Sequence, residues 1–360
     1  MRFSLAATVV LLLVLTSCAS SSLKYEKTDE LKKNKEFEDA VKIVKPNSEP
    51  ETEASATPAP TPTPAPSKSS SKKSSGKKTT PTKKTTAVTS KKTADKAAAS
   101  APVAAAVRQP DIEDNEGFAP GSRRPWVDPF RVGEEVVHDV HYFKVSAGEL
   151  RMKVEPFSKV NNRKSYTFAI EIKTSSLFNA FYSVEDRVET FVDYEDLVPR
   201  VFQLHVKESK QLREAKMLFD TEKNIAKFWE KKVTKEDGEE EKKQEWEIQE
   251  YAQNVYSAVF YMRNFKWETG KEYSFRVAND NENLVFSGKA LRREVLDTKL
   301  GPMKAIVIQP NIVLKGKFKP IGENLIWLSD DDRKHILRIE AKIKIGTLIS
   351  EVVSIKPGKP

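Results

Sequence analysis

Residues 135–154 read EVVHDVHYFKVSAGELRMKV. Val137, Asp139, His141 and Phe143 recur at every second position through Glu135–Val145. A period of two places successive side chains on opposite faces of a strand. Ser146-Ala147-Gly148 supplies small, turn-compatible residues, and Glu149 to Val154 reads as the returning strand. An antiparallel hairpin is therefore the first expectation, and the residues on either side extend it.

Downstream, short alternating runs repeat: Tyr166 to Ile172, Phe181 to Val192, Arg200 to Lys207, Ala215 to Phe219 and Ile225 to Glu230. Val233 to Gln244 is a charged excursion with Asp237-Gly238 at its tip, read as a mobile hairpin end. One segment has another period. Tyr251, Val255, Ala258, Val259 and Met262 fall on one face of a helix from about Glu250 to Asn264. Strand signals then resume over Glu272–Val277, Leu284–Val295, Met303–Gln309, Leu325–Leu328, His335–Ile345 and Leu348–Ile355. The fold class expected is mainly β: an antiparallel, strongly curved sheet or β-barrel-like domain with one α-helix, residues 125–360.

Upstream, residues 46–124 change character. Ala56 to Pro66 is an Ala-Thr-Pro stretch, Ser67 to Ser100 is Ser-Lys-Thr, and an Ala-rich piece passes into acidic Asp111–Glu116. Large apolar residues are nearly missing, so folding entropy has nothing to offset it, and a disordered tether is expected. As a coil, roughly 80 such residues span about 50 Å. Ser67 to Ser100 holds ten Lys and one Asp, net +9, the same as the whole chain. The basic character thus belongs to the tether. It suits an anionic envelope polymer such as cell wall, or else a solvated spacer.

Residues 18–45 come before the tether. Leu31, Phe37, Val41 and Val44 lie at helical spacing, Thr28 or Asp29 is placed to cap, and Pro46 closes the run. So short a helix is marginal alone. It reads as a weak or disordered segment, or as a helix docking on a partner or membrane. Residues 1–17 pair Arg2 with an apolar run, Leu5 to Leu15, too short to span a bilayer. Leu15-Thr16-Ser17-Cys18 resembles the lipobox of bacterial lipoproteins. That likeness implies cleavage before Cys18 and acylation, palmitate included, of the chain's single cysteine. Ala19, where Asp would signal retention, implies the outer membrane, facing the periplasm. The plain alternative is an ordinary secretory signal. One cysteine excludes internal disulfides and Cys-rich zinc sites.

Three stretches of the head carry a second resemblance: Gly133-Glu134-Glu135 with Tyr142 and Ser146-Ala147-Gly148-Glu149; Val255 to Arg263 followed by Gly270; and Trp327-Leu328-Ser329-Asp330-Asp331 with Arg338 to Ala341 and Ile345-Gly346. Together, from Gly133 to Ile349, they resemble the bacterial envelope family called domain of unknown function 3108. The resemblance implies an exported β-rich domain, related in shape to lipocalin-like or half-barrel lipid carriers. It supplies no activity or catalytic residues.

The remaining candidates are thin. His138 and His141, spaced i, i+3, face opposite sides of a strand, and His205 and His335 are isolated, so no metal site is expected. Asp330-Asp331-Asp332 lacks the spacing and turn glycine of a calcium loop and reads as a turn whose Asp bonds its own backbone. Arg263 or Arg338 is placed to pair with Asp330 or Glu340. No nucleophile elbow, phosphate loop or zinc-protease helix occurs, so no enzyme and no cofactor are expected. Aromatic residues exceed the need of a thin sheet. Tyr256, Phe260 and Trp327 are the candidate wall of an apolar ligand site. The function expected is a lipid-anchored, non-catalytic envelope protein binding an apolar ligand or envelope component, with no nucleic acid. The alternative is a scaffolding lipoprotein, using its basic tether and a sheet edge to contact cell wall and a protein partner.

Overall fold

The structure, a computed structural model, describes residues 31–46, 123–143, 145–311, 324–343 and 346–359. The signal peptide, Cys18 and nearly all of the expected tether lie outside the described residues. A short helix α1 (Lys35–Ala40) leads into β1 (Ile43–Val44). The meander follows as β2 (Glu134–Tyr142), β3 (Val145–Val160), β4 (Arg163–Thr174), the one-turn helix α2 (Ser176–Asn179), β5 (Glu185–Asp193), β6 (Pro199–Lys207), β7 (Gln211–Asp220), β8 (Ile225–Thr234) and β9 (Gly238–Glu247). After α3 (Ser257–Tyr261) come β10 (Glu272–Asn279), β11 (Glu282–Thr298), β12 (Gly301–Asn311), β13 (Leu325–Ser329), β14 (Ile336–Ile343) and β15 (Gly346–Pro357).

All fifteen strands form one antiparallel sheet in the order β10-β11-β12-β13-β14-β15-β2-β3-β4-β5-β6-β7-β8-β9, with β1 added beside β3. The chain starts mid-sheet and runs outward to β9. The α3 segment then carries it across the inner face to β10, and it returns until β15 pairs with β2. The two ends of the sheet meet through single contacts instead of a ladder. Lys242 of β9 pairs with Asp280 at 2.6 Å, Asn283 donates to the Glu247 carbonyl, and Gln253 forms a parallel bridge to Val277 of β10.

Two tight turns follow directly from composition. Asn161-Asn162 and Asp280-Asn281 each join strands through two residues with positive φ, the geometry that matches strand twist, and Asn and Asp tolerate it best. The turns after β2, β4, β6 and β8 lie at one end of this part of the sheet, called here the upper end. Those after β3, β5 and β7 lie at the lower end.

The sheet has two unlike faces. On the inner face, Phe168, Thr190, Phe202, Met217 and Phe228 form one cross-strand row under α3. The outer face carries ion pairs such as Arg187 with Glu155 and Glu189, both at 2.7 Å. It also carries an apolar strip, Val160, Phe191, Val201 and Trp229, which Phe37 and Val41 of the N-terminal segment cover.

Three expectations are corrected and one is extended. Residues 31–46 are neither a free helix nor loose: Asn34 caps α1 through a 3.0 Å bond to the Phe37 amide, and packing on the outer face replaces the stability a short helix lacks. Ser146-Ala147-Gly148 is strand, because the turn comes earlier, at Phe143. A Cβ on Gly148 would sit 2.5 Å from the Lys173 carbonyl oxygen, so glycine there permits close strand approach. The charged excursion at 233–244 is a hairpin with Asp237-Gly238 at its tip, as expected; what changes is its extent, since β8 and β9 pair over ten rows back to Ile225 and Glu247. The predicted helix 250–264 shortens to Ser257–Tyr261 plus a 3-10 turn, Met262–Asn264, because Tyr251 takes a positive φ and Gln253 bonds to β10 instead. No helix among the described residues is long and apolar enough to cross a membrane.

The globular part also begins earlier than residue 125. Arg123 donates to the Asp196 carbonyl at 2.9 Å and to the Tyr261 hydroxyl at 2.5 Å, and Arg124 donates to the Tyr194 carbonyl.

Candidate functional site

The three residues expected to wall an apolar site do not share a wall. Phe260 is buried and stacks on Phe168, ring centroids 4.3 Å apart and planes 5° from parallel. Tyr256 is half-buried and stacks on Phe202 at 5.3 Å. Both occupy the inner face. Trp327 pairs across the sheet with Arg338, which pairs with Glu351, which pairs with Asp139; cross-strand partners share a face, and here it is the outer one. The Trp327 indole donates to Glu294 at 2.6 Å under the folded-over end of the β11–β12 hairpin. The aromatic surplus is used in filling the core: Phe260 and Trp327 belong to one buried cluster, and Tyr256 packs against it. Tyr261, Phe265, Trp267, Tyr273, Phe275 and Phe286 continue the inner stack through edge-to-face, tilted and stacked contacts.

Parts of the stretches that carried the family likeness meet at the lower end: Glu134 of the first, Arg263 of the second and Asp331 of the third, whose turn also brings in Arg333. Glu134 of β2 accepts two bonds from Arg263, at 2.6 and 3.2 Å, and one from Arg333. Arg263 also donates to the Arg333 carbonyl, and both arginines donate to the Pro129 carbonyl. Burial alone would raise the Glu134 pKa, but the charge and hydrogen bonds of Arg263, with His335 3.5 Å away, hold it at about 2. Arg263 therefore pairs with Glu134, not Asp330. Asp330 pairs with Arg293, and Arg338 lies 3.7 Å from Glu340. Asp331 accepts from the Ser329 hydroxyl and from the Arg333 and Lys334 amides, closing its own turn. This cluster is a lock between the start of the sheet, the α3 segment and the β13–β14 turn.

The histidines also hold structure, and His138 is no surface residue. Fully buried, it donates from Nε2 to the Ile336 carbonyl and shares a 2.9 Å hydrogen bond between Nδ1 and the Ser350 hydroxyl. Burial pushes its pKa down to about 4. His141 lies on the other face beside Asp139, His205 bonds to Glu214, and His335 neighbours Glu134. Among the described residues, no three His, Cys, Asp or Glu gather to hold a metal.

Two of the clefts on the outer face are larger than a third, which measures about 310 Å³ and lies between Lys32, Glu189 and Lys216. One of about 510 Å³ is lined by Arg151, Glu171, Arg187, His205 and Lys207. The other, about 560 Å³, lies between His141, Phe143, Lys299, Arg338 and Ile349. Most of their charges are paired, Lys299 with Asp139 and Arg187 with three carboxylates among them, while Asp186, which also lines the cleft of about 510 Å³, accepts the Lys207 amide and has no ion pair among the described residues.

Large exposed apolar side chains occur at both ends, Trp126 and Val127 at the lower one among them, and a further group lies at the upper end. Phe143 on the β2–β3 turn is 69% exposed, and Leu177 and Phe181 on the β4–β5 connection are 62% and 78% exposed. Val145 and Ile172 lie exposed between them. Ser175 ties the two connections together, its amide donating to the Ala147 carbonyl and its hydroxyl to the Ser146 carbonyl. Phe143 also holds a positive φ of 47°, where Asn or Gly is the ordinary choice. An exposed aromatic ring kept at a turn that disfavours it is unlike the rest of this surface. Sequence reading missed this rim because each residue sits inside an otherwise acceptable strand or turn.

The family model described as "Protein of unknown function (DUF3108)" matches residues 137–353. The chain belongs to the DUF3108 family. Among curated proteins none matches. A β-barrel-like protein of domain of unknown function DUF1849 from Brucella abortus is similar at 8% identity and a TM-score of 0.40, over 63% of this chain and 98% of that one. A "putative lipoprotein" from Parabacteroides distasonis is similar at 11% identity and a TM-score of 0.29, over 64% and 99%. In this DUF3108 chain the lock at Glu134 joins the first two recognisable stretches directly, through Glu134 and Arg263, and the third only through Asp331, which accepts the amide of Arg333.

Proposed function

We propose that this protein is a bacterial outer-membrane lipoprotein, acylated at Cys18 and facing the periplasm, whose β head engages an apolar envelope component without catalysis. The observation that carries the reading is the rim of Phe143, Leu177 and Phe181. A contiguous exposed apolar patch on a folded domain marks a contact surface. The recognition element is the upper end of the sheet, not the Tyr256/Phe260/Trp327 set. The largely ion-paired outer clefts and structural histidines support a non-catalytic role. The Lys-rich stretch 67–100 adds a weak electrostatic contact to anionic cell-wall polymer.

The scaffolding alternative is less supported in one respect. Edge strand β9 reads GEEEKKQEWE, and dense charge on an edge disfavours addition of a partner strand.

Two measurements test the reading. Radiolabelled palmitate should enter the wild-type chain and not the Cys18→Ser variant. A fluorescent fatty acid should bind the folded full chain, with binding reduced in Phe181→Ser. Absence of both label and fatty-acid binding would refute it.

A further inference from the structure

Leu31 packs against Leu212 and Val233 on the outer face, and the Lys32 carbonyl accepts from Lys216. Leu212 is the second residue of β7 and Val233 the penultimate residue of β8, so both lie at the upper end. From there the segment descends: Phe37 reaches Trp229, and Ile43 and Val44 pair with Val160 and Lys159 near the lower end. The chain that leads back toward Cys18 therefore leaves the head at the upper end, where Phe143, Leu177 and Phe181 are exposed.

The length of that leader is short. About thirteen residues separate Cys18 from Leu31, a reach of at most ~45 Å when fully extended. The long biased tract does not lie between lipid and head. It connects Pro46 to Arg123, and both flanks are held by the head: Lys45 pairs with Glu189 at 2.8 Å, and Arg123 binds Asp196 and Tyr261.

Resting on the lipid-anchored reading, we infer that the upper rim docks on the bilayer surface itself, with Phe143, Leu177 and Phe181 entering the headgroup–acyl boundary. A bilayer fits the place where the leader leaves, its short reach and the apolar character of the tips together. Apolar side chains at the boundary add to the anchoring that the acyl chains give and fix the orientation of the head. The contact is apolar in kind, because the β8–β9 tip at the same end holds Glu236, Asp237 and Glu239 to Glu241 and does not favour an anionic surface. The head thus lies against the membrane.

The test uses the chain from residue 18 onward carrying Cys18→Ser, so that no acyl chain contributes, floated with phosphatidylcholine vesicles. The protein should co-float, and high salt should leave the bound fraction unchanged. Phe143→Asn, Leu177→Ser and Phe181→Ser together should lower it at least about tenfold with an unaltered melting temperature. Asn suits the positive φ at 143, so the turn is kept. Trp126→Ser, at the opposite end and also exposed, should not change binding. No flotation of the parent, equal flotation of the triple variant, or loss with Trp126→Ser or with salt would each overturn the inference. Fatty-acid binding without flotation would overturn the bilayer contact and leave the preceding reading standing. Flotation without acylation of Cys18 would do the reverse.

Discussion

Arg263 donates to both carboxylate oxygens of Glu134 across 129 residues of sequence, and neither side chain reaches solvent by more than 4% of its surface. Removing one partner leaves a buried charge alone. Arg263→Ala should therefore destabilise the head by about 3–5 kcal/mol, read as a lower urea midpoint. Glu134 titrates far below its unfolded value, so its contribution is present above about pH 4.3 and is lost as pH falls toward 2. In Glu134→Gln this part of the acid sensitivity should vanish, along with the stability.

His138 gives a separate acid response. Its folded pKa is about 4, against about 6.5 unfolded. As pH falls through 6.5 the unfolded chain takes up a proton that the folded chain refuses. Stability should fall by on the order of 3 kcal/mol between pH 6.5 and 4 and then level off for this group. The slope should be absent from His138→Gln, measured by urea unfolding at each pH.

Asp186 works the other way. Burial, then the nearby Glu208 charge, raises its pKa to about 6, while its carboxylate accepts the Lys207 amide. A raised folded pKa means that stability present below about pH 4 is lost as pH rises through 6. Asp186→Asn keeps the acceptor and removes the charge. Its melting temperature should exceed wild type at pH 7.5 and match it below pH 4.

The N-terminal segment belongs to the folded unit. A chain cut to residues 125–360 would uncover Phe191, Val201 and Trp229 and lose the Arg123 and Arg124 contacts. It should melt at lower temperature and associate more readily than a chain beginning before Leu31. Phe37→Ser in the full chain should reproduce part of the loss, with faster proteolysis after Lys42 or Lys45 as the readout.

Most strands were legible because an inner apolar layer and an outer charged one impose a period of two, as in Tyr166 to Ile172. The N-terminal segment was not, because its partner is remote. Leu31, Phe37 and Val41 look like a weak helix until the outward positions Phe191, Val201 and Trp229 are seen to be apolar, which only the register reveals. The α3 segment shows the limit of periodicity. Val255, Ala258, Val259 and Met262 keep helical spacing, yet a backbone bridge from Gln253 to β10 takes the first two turns. The Trp327 assignment failed for the same reason: hydrophobicity says that a ring is covered, not from which face. The two resemblances were legible in different degrees. Family membership could be read from scattered motifs, and the meeting of two of them at Glu134 required the fold.

The central claim is that the upper rim lies at the membrane. Acylated Cys18 leaves no free thiol, so Leu177→Cys can carry a single spin label in the lipidated chain on phosphatidylcholine vesicles, with Asn224→Cys at the lower end as reference. The account predicts that the label at 177 is relaxed by oxygen and shielded from a water-soluble nickel complex, and that the label at 224 shows the opposite. Equal exposure of both labels to nickel would contradict it.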